Sequence, residues 1–64
     1  MVTVNGKESP VAEKTVNEAL DFLGYSPVRV AVEINGELVA RDKRATTVIR
    51  DGDQVEIVSF VGGG

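Results

Sequence analysis

Thr15-Val16-Asn17-Glu18-Ala19-Leu20-Asp21-Phe22-Leu23-Gly24 is the stretch on which the reading of this 64-residue sequence turns. Thr15 followed by Glu18 matches a capping box, in which the Thr hydroxyl accepts from a backbone N–H of the first turn and the Glu side chain reaches back. A helix is therefore predicted to start at Thr15. Val16, Ala19, Leu20 and Leu23 recur at helical spacing and form one apolar stripe, and Gly24 supplies a left-handed stop. So short an amphipathic helix needs a surface to lie on, because packing rather than propensity stabilises it. The sequence on either side reads as strand, so that surface is a sheet.

Upstream, Val2 and Val4 point one way and Thr3 the other, and Asn5-Gly6 is a strong hairpin signal. The returning strand lies within Lys7 to Glu13, and Pro10, which lacks a backbone donor, places it at an edge. Downstream, Val28, Val30, Val32 and Ile34 alternate with Arg29, Ala31 and Glu33, which predicts a half-buried strand over 28–34. Asn35-Gly36 turns the chain into a brief partner strand at Glu37-Leu38-Val39-Ala40. The segment 41–50 has no clear period, although Val48 and Ile49 are placed to plug the core from a turn or short helix. Asp51-Gly52-Asp53 is a turn, and Gln54 to Val61 reads as the last strand, with Val55 and Ile57 opposite Gln54 and Glu56. Continuing that alternation puts Val58 and Phe60 on the solvent side. Either a bulge or second contact covers them, or they form an exposed docking patch.

A hairpin, a helix and then further strands indicate an α+β fold: a single domain over 1–64, with a mixed four- to five-stranded sheet and one helix packed across one face. If the first and last strands lie side by side, they are parallel at the sheet centre, which would account for the apolar density of both.

Composition narrows the chemistry. Seven Lys and Arg against ten Asp and Glu leave a net charge of −3, and there is no Cys and no His. Disulfides, thiol nucleophiles, zinc-finger ligand sets and imidazole bases are excluded, so the chain is not expected to be an enzyme by itself. A net acidic chain is a poor match for nucleic acid. No apolar run approaches the ~20 residues of a membrane span, and the N-terminal residues lack a signal-peptide layout, so a cytoplasmic protein with neither nucleic-acid nor membrane partners is expected. One segment runs against the overall charge. Arg41, Lys43, Arg44 and Arg50 against Asp42 give a local +3, read first as a solvated loop and second as a contact for an acidic partner. Asp51 and Asp53 flank a glycine, and turn formation explains them better than metal binding does.

The C-terminal sequence Phe60-Val61-Gly62-Gly63-Gly64 is the chemically informative part, since three of the seven glycines follow an apolar strand directly. Three such residues reach roughly 10 Å and can carry a carboxylate where a Cβ would not fit. A carboxylate is a poor acyl donor until it is activated, typically as an acyl-adenylate. That needs ATP, magnesium and a phosphate-binding site, and the sequence has neither a phosphate loop nor a credible metal cluster. Activation therefore falls to another protein.

The hairpin, the capped helix, the stretch Val30-Ala31-Val32-Glu33-Ile34-Asn35-Gly36-Glu37, the turn Asp51-Gly52-Asp53-Gln54-Val55-Glu56-Ile57 and the terminal glycines together resemble the ThiS family of sulfur carriers. The likeness runs over the whole chain. It implies a ubiquitin-like β-grasp fold and a mechanism. A ThiF/MoeB-like adenylyltransferase, using ATP and Mg, converts the carboxylate of Gly64 to an adenylate. Sulfur from a donor such as a cysteine desulfurase then displaces AMP and leaves a thiocarboxylate. On this resemblance Gly64 is the attachment site and Gly63 and Gly62 thread the partner's channel, with Val58 and Phe60 as candidate contacts; the chain itself holds no cofactor. The implied acceptor is thiazole synthase in thiamin synthesis. A MoaD-like small subunit of molybdopterin synthase, serving a large synthase subunit, and a ubiquitin-like protein modifier stand as alternatives. A non-covalent β-grasp module with Val58 and Phe60 as its patch is a further competing reading.

Overall fold

The computed structural model describes residues 1–60. The chain runs β1 (Val2–Val4), β2 (Lys7–Ser9), α1 (Val16–Leu23), β3 (Val30–Ile34), β4 (Glu37–Leu38) and β5 (Gln54–Ser59), with 3-10 turns at Pro27–Arg29 and Arg41–Lys43. The five strands form one sheet in the order β2-β1-β5-β3-β4. β1 pairs with β5 in parallel, and β5 with β3 antiparallel, from Val30 opposite Ser59 to Ile34 opposite Val55. This is the mixed β-grasp sheet with its first and last strands adjacent, as expected. Among the described residues no helix is long and apolar enough to cross a membrane.

The helix follows its capping signal closely. Thr15 N–H donates to the Glu18 carboxylate at 2.8 Å, and the Thr15 hydroxyl accepts from Glu18 N–H at 3.1 Å. Hydrogen bonding of the Glu18 carboxyl to Thr15, its backbone N–H first and its side chain second, holds that carboxyl below its ordinary pKa. The irregular segment supplies two more acceptors for the first turn: Val16 N–H donates to Thr47 O and Asn17 N–H to Arg44 O. At the other end Gly24 adopts φ 85° and ends the helix.

Val16, Ala19 and Leu20 of the stripe are buried against Val2, Val4, Val30, Val32, Val55 and Ile57 of the sheet, with Val11 and Ile49 closing the sides and Leu23 packed at the margin. Each fully buried Val, Leu or Ile contributes roughly 1.5–3 kcal/mol of transfer free energy, and together they join helix to sheet. Ile49 therefore plugs the core as expected, while Val48 is only half-buried.

The structure departs from the sequence reading at the strands expected over 28–34 and 37–40, and follows it at the first hairpin. The strand expected over 28–34 begins at Val30, and Val28 is 65% exposed rather than aligned with Val30 and Val32. Pro27 sits at the start of a 3-10 turn, in which Arg29 N–H donates to Ser26 O, and this turns the chain before the strand can begin. The returning strand of the first hairpin ends at Ser9, just ahead of Pro10, and occupies the sheet edge as predicted. The partner strand after Asn35-Gly36 is confined to Glu37–Leu38, although Val39 N–H still donates to Val32 O.

Candidate functional site

β5 is the central strand and leads directly into the glycine end of the sequence, so whatever holds β5 sets the place from which that end departs. Both Asn-Gly turns contribute to this. Asn5 and Asn35 have φ of 51° and 52°, and Gly6 and Gly36 have φ of 83° and 86°, the left-handed pairs that tight hairpins require. Each Asn side chain also bonds β5 or the turn leading into it. The Asn5 amide accepts from Ile57 N–H at 2.8 Å and donates to Ile57 O at 3.1 Å, acting as one more rung where β1 has stopped. Asn35 accepts from Gln54 N–H at 3.0 Å and donates to the Asp53 carboxylate at 3.0 Å. The sequence showed the turns; these amide clamps carry no periodic signal and were not anticipated.

Asp53 also accepts from Arg50 N–H at 2.9 Å, and the Asp51 carboxylate meets the Met1 ammonium. The ammonium holds the Asp51 carboxyl below its ordinary pKa, through the hydrogen bond first and its charge second. The Asp53 carboxylate is thus tied into the turn, while that of Asp51 joins the turn to Met1. Among the described residues no cluster of His, Cys, Asp or Glu is arranged to hold a metal ion.

The basic segment is a correction to the sequence reading, because Arg44 belongs to neither a solvated loop nor an acidic-partner contact. It is 4% exposed, and its Nη1 and Nη2 donate to Pro27 O and Val30 O, both at 2.8 Å. Arg41 donates to Val28 O at 2.9 Å. Burial, and then the nearby Arg41 charge, push the Arg44 pKa downward from its ordinary value; a guanidinium stays protonated in proteins all the same. Lys43 and Arg50 remain exposed.

Val58 and Phe60 lie on the open side of the sheet, opposite the helix. They continue the outward alternation of Gln54 and Glu56 and are 57% and 47% exposed, so the covered alternative is not met among the described residues. Ala31 sits opposite Val58, and Phe60 N–H donates to Arg29 O at 2.8 Å. Leu38, 68% exposed and opposite Glu33, lies farther along the same face. The partner-binding role expected for Val58 and Phe60 thus falls on an exposed apolar patch at the glycine end of β5. The other predicted site residues, Gly62, Gly63 and Gly64, lie outside the described residues, as does Val61 at the end of the predicted last strand.

A small α+β domain of this topology, with an apolar open sheet face beside a strand that leads to terminal glycines, is a ubiquitin-like β-grasp domain. The sequence profile of the ThiS family matches residues 2–64, and the chain belongs to that family. It is similar to the crystal structure of the thiamine biosynthesis protein ThiS from Geobacter metallireducens, at 42% identity and a TM-score of 0.80, covering 98% of this chain and 97% of that one. The sulfur carrier protein ThiS of Thermus thermophilus is 38% identical over 64 residues, the full length of both chains. A thiazole synthase of Paramagnetospirillum magneticum is 42% identical over 64 residues, covering 98% of this chain and 20% of that protein. The chain spans a fifth of the length of that relative, and likewise of a thiazole synthase from Magnetococcus marinus.

Proposed function

We propose that the chain is a cytoplasmic sulfur carrier whose terminal Gly64 cycles between carboxylate and thiocarboxylate, and which supplies sulfur for the thiazole of thiamin. The observation that carries this reading is the placement of β5: the most internally held strand of a ThiS-family fold continues in sequence to Val61-Gly62-Gly63-Gly64. A carboxylate oxygen attacks the α-phosphorus of ATP on a ThiF/MoeB-like adenylyltransferase and pyrophosphate leaves. A persulfide sulfur of a cysteine desulfurase or similar donor then attacks the acyl carbon and AMP leaves; a second thiol of the partner proteins attacks the donor sulfur of the resulting acyl disulfide, breaking the S–S bond, so that the thiocarboxylate leaves and a disulfide stays on the partners. Magnesium and ATP belong to the partner enzyme, and Gly62 and Gly63 provide a backbone narrow enough to enter its channel. The chain contributes no thiol that could exchange with a persulfide donor.

Relatives named thiazole synthase, in which a segment like this chain makes up 20% of the length, support thiazole synthase as the acceptor over the molybdopterin route. The direct test is intact mass after incubation with adenylyltransferase, ATP and a sulfur donor. Replacement of one terminal oxygen by sulfur is expected, and an unchanged mass with every cognate partner would refute the proposal.

The open-face patch makes the first contact with the activating protein. Because Phe60 is half exposed, Phe60→Ala is expected to weaken partner binding about tenfold or more. Its melting temperature should shift by less than about 4 °C. Titration by calorimetry alongside thermal unfolding separates the two effects, and a large fall in melting temperature would reassign Phe60 to the core.

A further inference from the structure

Four successive carbonyls, from Pro27 to Val30, are each held by a part of the chain distant in sequence. Arg44 takes the first and the last, Arg41 takes Val28 O, and Phe60 N–H takes Arg29 O between them. Packing fixes Val30, which is buried in the core, but does little for Pro27, Val28 and Arg29, which are all exposed. Across β5, β1 ends at Val4 and the Asn5 amide makes the last rung at Ile57. From Val58 to Phe60 the backbone support of β5 among the described residues comes from β3 and the turn before it. Slack in residues 27–30 is therefore passed directly to Phe60.

We infer that Arg44 and Arg41 are positioning residues for the activation step: by fixing the 27–30 carbonyls they fix the backbone of Phe60, the last described residue before the glycines in sequence. The inference rests on the carrier reading and adds to it two residues far from Gly64 in sequence. The two arginines work by different geometry. Arg44 spans two carbonyls with the two arms of one rigid planar fork, which a lysine ammonium cannot reproduce. Arg41 makes a single bond to one carbonyl, a task within reach of a lysine.

The test uses the full chain in four forms: unmodified, Arg41→Met, Arg41→Lys and Arg44→Lys. Amide hydrogen exchange at Phe60 reads the anchor itself, and pyrophosphate release with the adenylyltransferase and ATP reads kcat and KM separately. Arg41→Met and Arg44→Lys are expected to quicken exchange at Phe60 and lower kcat roughly 10- to 100-fold with KM held, the signature of lost positioning rather than lost docking. Arg41→Lys should restore both readouts. Unaltered exchange at Phe60 in Arg41→Met, faster exchange with kcat intact, or a loss confined to KM would each overturn the inference. If the unmodified chain releases no pyrophosphate, the carrier reading fails, and the inference falls with it; that outcome is visible before any variant is compared.

Discussion

Removing Gly63 and Gly64 is expected to abolish thiocarboxylate formation completely while leaving the domain folded. The truncated chain would still end in a glycine carboxylate, so the chemical group survives and only its reach changes. Two residues fewer withdraw that carboxylate by roughly 7 Å. Activation demands a near-attack geometry in which the reacting atoms lie roughly 3–3.5 Å apart, so the shortfall is far beyond what binding can absorb. Among the described residues none of the buried core lies beyond Ile57, so the melting temperature should stay within about 3 °C of the full chain. Intact mass after reaction with adenylyltransferase, ATP and a sulfur donor, together with a thermal melt, decides the matter. Charging of the truncated chain at the full-length rate would show that the last two glycines are dispensable, whereas retained function of a truncated chain that is no longer charged would favour a non-covalent β-grasp module acting through Val58 and Phe60. Conjugates to lysine side chains in cell extract would instead favour a protein modifier.

That prediction draws on the part of the molecule most legible in its sequence. Turns, caps and alternation are local rules, and each left a local mark: Asn5-Gly6 and Asn35-Gly36 for the hairpins, Thr15 with Glu18 for the helix, Val55 and Ile57 for the buried face of β5. Even the parallel β1-β5 pair was foreshadowed by the apolar character of its strands. Side-chain bonds to distant backbone leave no such mark. The Asn5 amide on Ile57 and the Arg44 fork on Pro27 and Val30 join positions 52, 17 and 14 residues apart, and nothing in composition or period distinguishes these residues from ordinary turn or surface residues. Val28 was misplaced for a related reason. Its alternation with Val30 was real, but Pro27 and the Ser26–Arg29 bond impose a turn there, and backbone restriction overrides pattern. The exposed patch of Val58 and Phe60 was therefore legible, whereas the framework behind it was not; the glycine end lies outside the described residues.

Ile49 tests whether the irregular segment is a true part of the core. It comes from a stretch with no hydrophobic period, yet it is 1% exposed, and its backbone is fixed on both sides: Glu13 N–H donates to Ile49 O at 2.7 Å and Ile49 N–H to Lys14 O at 2.8 Å. With its backbone pinned, a truncated side chain cannot be replaced by collapse of the loop, and a cavity remains under α1. Ile49→Ala is accordingly expected to cost about 2–5 kcal/mol. A domain of this length has a total stability on the order of 3–10 kcal/mol, so the melting temperature should fall by roughly 10 °C or more. Its neighbour supplies the control. Val48 is half-buried and pairs with Thr15 through an isolated bridge of backbone bonds, so Val48→Ala should cost less than about 1.5 kcal/mol. Chemical denaturation of both variants measures the difference. Equal losses would mean that the two side chains share the core and that the chain near Ile49 can shift to fill the space; a near-neutral Ile49→Ala would remove the segment from the core altogether, and with it the packing basis for the fixed course of residues 41–49 from which Arg41 and Arg44 reach the 27–30 carbonyls.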